Sequence, residues 1–283
     1  MGREALLGIA VGKKGVGKTY ATLLEMNKYQ HKHPHRKVLV LDVNNEFVDV
    51  RADQNPQFKH IKGLDLTMLP AWVAHPTVDM RRISIIKPNG EGRMNLAEIA
   101  DALHQILTHF RNGLLLIEDI NKFISDSLPN DLIGAIATQR HASVDIITHF
   151  QTVGKMANPK LWGNANYIRF HKCEDTVERH KNKFGGSIVH LYILERLVNM
   201  QYKKGDQRFY AFYDKDDGKI KGAFTKEQFK EAIIGYLEDN YSGIVEKEAK
   251  RKTLQGAMKH PSHEAAAQYL IDTYIEEYYG NPK

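Results

Sequence analysis

Gly12-Lys13-Lys14-Gly15-Val16-Gly17-Lys18-Thr19 fits the phosphate-loop pattern G-x-x-x-x-G-K-[ST]. Glycines let the backbone curl until successive N–H groups point at one anion. The lysine adds a point charge for the β- and γ-phosphates, and the threonine hydroxyl completes a Mg²⁺ shell. The flanks suit the motif. Ala5-Leu6-Leu7-Gly8-Ile9-Ala10-Val11 is a short apolar run of buried-strand type, and Tyr20-Ala21-Thr22-Leu23-Leu24-Glu25-Met26 suits a helix whose N-terminus faces the phosphates. This order of strand, loop and helix makes Gly12 through Tyr20 the candidate nucleotide contacts, with ATP and Mg²⁺ as the expected ligands.

About a hundred residues on, Gly113-Leu114-Leu115-Leu116-Ile117-Glu118-Asp119 has the form of a second nucleotide motif: an apolar buried strand ending in two acids. One acid is expected to hold Mg²⁺, usually through water, and the other to orient the attacking water. Two further strands end in polar residues. Val38 to Leu41 runs into Asp42, Asn44 and Glu46, which either belong to the site or only cap the strand and open a turn. Val144-Asp145-Ile146-Ile147-Thr148-His149-Phe150 ends at Gln151, within reach of a γ-phosphate.

Strands alternating with helices predict an α/β fold: a P-loop NTPase with a mainly parallel central sheet covered by helices. Residues 51 to 80 read as an irregular connection with a short helix or two, and Arg81 to Lys87 as a strand. Leu96, Ile99, Ala100, Leu103, Ile106, Leu107 and Phe110 recur at helical spacing, and a further helix is expected from about Asn130 to Arg140. In Tyr167 to Lys172 strict alternation puts Tyr167, Arg169 and His171 on one face. Glu174 to Lys204 is charged and reads as helical, and Arg208 to Gly222 as a β-hairpin around Asp214-Lys215-Asp216-Asp217-Gly218. That acidic turn lacks the later Glu of a calcium loop. Two or three helices follow from Thr225, with Lys247, Lys250, Arg251 and Lys252 as their most basic stretch, which is either a DNA contact or an ordinary solvated face. The expected division is an ATPase core over residues 1–222 and a basic helical region over 223–283.

With 283 residues, 42% of them hydrophobic, the chain has ample core. The single cysteine, Cys173, excludes an intramolecular disulfide framework and a Cys-based zinc site. No apolar run approaches the length of a membrane span and no signal-type segment opens the chain, so a cytoplasmic protein without a membrane partner is expected. A formal charge of +6 leans towards a polyanionic partner. The cluster His31-Lys32-His33-Pro34-His35-Arg36-Lys37 falls where a helix-to-strand loop belongs and reads as a solvated turn.

Asp42-x-Asn44-x-x-Phe47 after the second strand, the run from Leu114 to Asp119, and Arg140 leading to the strand that ends in Gln151 resemble the FtsK–HerA group of P-loop ATPases. Within it the chain looks most like viral genome-packaging ATPases and their phage-morphogenesis relatives, over about residues 5 to 172. The resemblance implies a homo-oligomeric ring that hydrolyses ATP to move double-stranded DNA into a capsid, in the host cytoplasm, with a capsid portal protein as a further partner. It implies Lys18 on the β/γ-phosphates, Thr19 and Glu118 on Mg²⁺, Asp119 positioning water, and Gln151 sensing the γ-phosphate. Arg140 or Arg169 would serve as an arginine finger for the neighbouring subunit. The group's usual order is Asp then Glu, whereas this chain has Glu118 then Asp119, which leaves the division of roles between them open. Two rival readings are a partition-type DNA-binding switch, in which Lys13 would be the extra lysine of a deviant loop, and a nucleotide-binding assembly factor with little turnover.

Overall fold

A computed structural model describes residues 5–47, 61–87, 92–119, 134, 136 and 142–280. The chain forms two compact units, Met1–Asn166 and Tyr167–Lys283. The break falls earlier than residue 222, because the expected hairpin and the helix before it group with the C-terminal helices rather than with the phosphate loop.

In the first unit the strands are β1 (Leu7–Val11), β2 (Lys37–Asp42), β3 (Lys62–Gly63), β4 (Met80–Ser84), β5 (Gly113–Ile117) and β6 (Val144–Phe150). They lie in the order β3-β4-β2-β5-β6-β1, and the pairings of β3 with β4, β4 with β2, β2 with β5, β5 with β6 and β6 with β1 are all parallel. Parallel strands covered on both faces read as continuous apolar runs, as β1, β2, β5 and β6 do, with every residue buried. Helix α1 (Lys18–Lys32) presents Leu23 and Met26 to Val38, Val40, Leu114, Leu116 and Ile147. Burying side chains of this size contributes about 1.5–3 kcal/mol each.

The connection before β4 contains α2 (Leu69–Ala74) after a single 3₁₀ turn, as expected for the described part of residues 51–80. Lys37 opens β2 with its stem buried and its ammonium on the carbonyls that end α2: Trp72, Val73 and His75. A cation at a helix C-terminus is favourable there, and the Trp72 ring lies 5.0 Å beneath it. Helix α3 (Leu96–His109) starts at a capping box in which Asn95 accepts from the Glu98 N–H and Glu98 from the Asn95 N–H. The helix expected at 130–140 lies outside the described residues apart from Gly134 and Ile136, both helical. Short helices α4 (Val153–Met156) and α5 (Pro159–Asn164) follow β6, and Asn166 then fastens the chain to β1, its N–H donating to the Leu7 carbonyl and its Oδ1 accepting from the Leu7 N–H.

In the second unit β7 (Tyr167–His171), β8 (Tyr210–Asp214) and β9 (Lys219–Gly222) pair antiparallel, with the expected hairpin at β8–β9. The charged run after residue 174 is not one helix. Two 3₁₀ stretches, Glu178–Lys183 and Gly185–Ser187, precede α6 (Ile188–Lys203), because Gly185 and Gly186 interrupt the helical pattern. Helices α7 (Lys226–Asp239), α8 (Tyr241–Ala249) and α9 (His263–Tyr278) complete the unit. Tyr192, Tyr236, Tyr274 and Tyr278 form a run of ring contacts from α6 to α9 at centroid distances of 5.6, 6.3 and 5.2 Å.

Candidate functional site

Strand register builds the site. Val11 pairs with Phe150 and the Gly12 N–H donates to the Phe150 carbonyl at 3.1 Å, so Gln151 emerges beside the first glycine of the loop. Leu41 pairs with Ile117, so the chain after β2 and the two acids after β5 leave the sheet together. All four segments emerge from the carboxyl ends of parallel strands, where ligands of open α/β sheets bind.

The loop itself is the turn between β1 and α1. Gly15 and Gly17 adopt φ of 84° and 81°, a conformation that L side chains rarely take, and Gly17 is the N-cap of α1. Val16 is buried and pins the loop's underside, whereas Lys14 and Gly15 are exposed. Lys18 folds back over the loop, donating to the carbonyls of Gly12 at 2.5 Å and Lys13 at 2.7 Å. The parallel strands β1 and β6, the left-handed glycines and the lysine at the start of α1 decide the matter.

The fold is that of a P-loop NTPase.

Around this P-loop the polar residues divide into two groups. On one side the Thr19 hydroxyl donates to Glu46 Oε2 at 2.7 Å. Glu46 is held by Asp42, which is fully buried and accepts from the N–H groups of Glu46 at 2.8 Å and Phe47 at 3.1 Å. Asp42 thus builds the turn, and Glu46 reaches the P-loop. Asn45, at φ 56°, completes that turn in a conformation uncommon for a non-glycine residue. Arg82 of β4 donates to Asp42 at 3.3 Å and to Asn45 Oδ1 at 3.0 Å. Sequence reading missed Arg82; the available signal was an arginine in a strand that is otherwise paired within a buried sheet.

On the other side Asp119 accepts from both Gln151 Nε2, at 3.0 and 2.9 Å, and Asn44 Nδ2, at 3.3 Å. Its φ of 43° lies in the left-handed region. Such strain in a non-glycine residue concentrates at functional sites. Glu118, buried, accepts from the Asn44 N–H at 3.2 Å. Burial, followed by the neighbouring charges of Asp42 and Glu46, pushes its pKa up to about 9. Beneath the site His149 Nε2 meets the Thr22 hydroxyl at 2.7 Å, tying β6 to α1.

The oxygen-only donor set of Thr19, Glu46 and Glu118 fits a hard divalent cation. Among the described residues no group of three or more His, Cys, Asp or Glu is arranged to hold a metal ion unaided.

The raised Glu118 pKa has a pH consequence. Its ordinary value is 4.5, so the nucleotide-free chain releases a proton from this group on unfolding and loses stability as the pH rises from about 5 towards about 9. Glu118→Gln is expected to raise the melting temperature at pH 8 and to flatten its decline with pH, with a gain of about 1–2 kcal/mol. Melting curves across this pH interval check it, and an unchanged slope counts against the buried proton.

Of the remaining expected residues, Tyr20 is partly exposed on the first turn of α1. Arg140 lies outside the described residues. Arg169 is fully buried on β7 with its guanidinium 5.8 Å from the centroid of the Tyr210 ring, a packed position rather than an exposed one. No helix among the described residues is long and apolar enough to cross a membrane.

No known family profile matches the chain, and neither does any curated protein. Solved structures similar to it include the genome packaging NTPase B204 from Sulfolobus turreted icosahedral virus 2. Its complex with AMPPCP has a TM-score of 0.49 at 14% identity and covers 76% of this chain and 95% of that chain. Its complex with AMP has a TM-score of 0.48 at 15% identity, covering 79% and 99%. The N-terminal domain of zonular occludens toxin from Neisseria meningitidis has a TM-score of 0.30 at 13% identity, covering 59% and 76%.

Proposed function

We propose that this chain hydrolyses ATP at the P-loop and couples the cycle to movement of double-stranded DNA, as a genome-packaging motor. The observation that carries the catalytic part is the shared hydrogen bonding of Asp119 by Gln151 and Asn44, which joins the ends of β5, β6 and β2 beside the P-loop.

In this reading Lys18 exchanges the Gly12 and Lys13 carbonyls for the β- and γ-phosphate oxygens, which satisfy its ammonium more fully. Thr19 and Glu118 would hold Mg²⁺, which would neutralise charge on the β- and γ-phosphates. Glu118 would serve in its ionised form, because a metal ligand must be ionised. Asp119, hydrogen-bonded by Gln151, positions the water. In this reading the division of roles follows each acid's neighbours: the carboxylate beside Glu46 serves the cation and the one beside Gln151 serves the nucleophile. Gln151 reports the γ-phosphate by exchanging its bonds to Asp119 for one to the ligand.

The DNA part of the proposal rests on the resemblance of the P-loop, acid and Gln151 motifs to FtsK–HerA motors and on the chain's net charge of +6. The homo-oligomeric ring and the portal partner rest on the resemblance alone. Movement along DNA has a direct test: an oligonucleotide held as a third strand on a linear duplex is expected to be displaced when ATP is added. Hydrolysis without displacement, in the presence of bound duplex, would contradict the motor.

A further inference from the structure

Between α8 and α9 the chain makes a short hairpin that none of the site's chemistry uses. Lys252 and Met258 form an antiparallel bridge, the Lys259 N–H donates to the Arg251 carbonyl and the Thr253 N–H to the Ala257 carbonyl, both at 2.8 Å. The turn closes with the Gly256 N–H on the Thr253 carbonyl at 2.9 Å, Gly256 taking φ 84°. Every residue from 250 to 259 is exposed, and the Leu254 side chain at the turn is entirely in solvent. Its backbone bonds thus hold the hairpin out from the helices rather than against them.

The base is fixed by one carboxylate. Glu248, buried at the end of α8, accepts from Arg251 at 3.1 Å, Lys259 at 3.1 Å and His260 at 3.0 Å, and these partners hold its pKa down to about 2 against the effect of burial. Lys259 also lies 4.0 Å from the centroid of the Tyr269 ring on α9. Residues 247 to 260 carry Lys247, Lys250, Arg251, Lys252 and Lys259 against the single acid Glu248, most of the chain's net charge in one projection. Lys247 and Lys252 form no ion pair among the described residues, and Lys250 only approaches Glu246, at 3.8 Å.

We propose that this hairpin is a contact for the phosphate backbone of duplex DNA, with Lys247, Lys250 and Lys252 as the phosphate ligands and Glu248 as the residue that positions their support. The identity of the polyanion rests on the reading of the chain as a DNA motor, while the surface itself is defined by charge and shape. The hairpin from Lys252 to Met258 carries no Phe, Tyr or Trp to stack on unpaired bases, which favours a duplex over a single strand. Phosphate contacts carry no base preference, which suits a protein that moves along any sequence.

The test is the salt dependence of binding of the full chain to a fluorescein-labelled linear duplex of random sequence, for wild type and for the double variant Lys250→Gln/Lys252→Gln. Loss of two phosphate contacts is expected to weaken binding at every salt concentration and to reduce the slope of log Kd against log salt by about 2. ATP binding, measured on the same samples, is expected to be unchanged, which shows that the variant is folded. Equal slopes for wild type and variant would overturn the hairpin contact and leave the ATPase reading standing. Failure of wild type to bind duplex while it binds ATP would overturn both the contact and the DNA reading. If Leu254→Ala dissociates an oligomer while the double variant binds duplex normally, the hairpin is a protein contact and the proposal fails.

Discussion

Asp119→Asn is expected to bind ATP with wild-type affinity and to lose turnover by about a thousandfold, within the range seen when a positioned proton acceptor is removed. The substitution is well suited to the backbone. Asp119 has φ 43°, and asparagine is one of the few other residues that tolerate the left-handed region. The amide oxygen still accepts from Gln151 Nε2, so the link between β5 and β6 persists, while the negative charge beside the nucleophile is gone. Binding rests on the P-loop and Lys18, which the change does not touch. Nucleotide titration and phosphate release on one preparation separate the two effects. Normal turnover would remove Asp119 from the mechanism and return the water-positioning role to Glu118.

Lys18→Ala is expected to abolish both measurable ATP binding and turnover. In the nucleotide-free chain the Lys18 ammonium already sits over the loop on the carbonyls of Gly12 and Lys13, held where the β- and γ-phosphates would draw it. Removing it takes away a side-chain charge directed at those phosphates and leaves the N–H groups of the loop and α1. Wild type with ATP at about a hundred times its Kd should gain about 2.7 kcal/mol of stability, and the variant should gain none. Thermal melting with and without ATP reads this. An equal shift in the variant would mean that nucleotide binds somewhere other than the P-loop.

Much of this site was legible in the sequence because its parts are local. A glycine needing positive φ, a lysine and a threonine at fixed offsets, and two acids ending an apolar run are each set by neighbours in the chain. The parallel sheet followed from apolar strands alternating with helices, and the β8–β9 hairpin from its turn residues. What sequence concealed depends on strand order. Because β6 lies between β1 and β5, Gln151 reaches Asp119 and the P-loop at once. Because β4 lies beside β2, Arg82 reaches Asp42. The left-handed backbone at Asp119, next to Glu118 in the chain, is a feature that no propensity announces. Lys37 and Arg169 are buried against expectation for their type, Lys37 on the carbonyls ending α2 and Arg169 beside the Tyr210 ring. The 3₁₀ stretches before α6 lie in a charged run that reads as helical, and the Gly185-Gly186 pair interrupts it.

The most direct measurement of the central claim is steady-state phosphate release from ATP by the purified chain, with and without linear double-stranded DNA, with Lys18→Ala as the blank. The account predicts release that duplex DNA stimulates and that Lys18→Ala lacks. Release unaffected by Lys18→Ala, or tight ATP binding with no release when DNA is present, would contradict it.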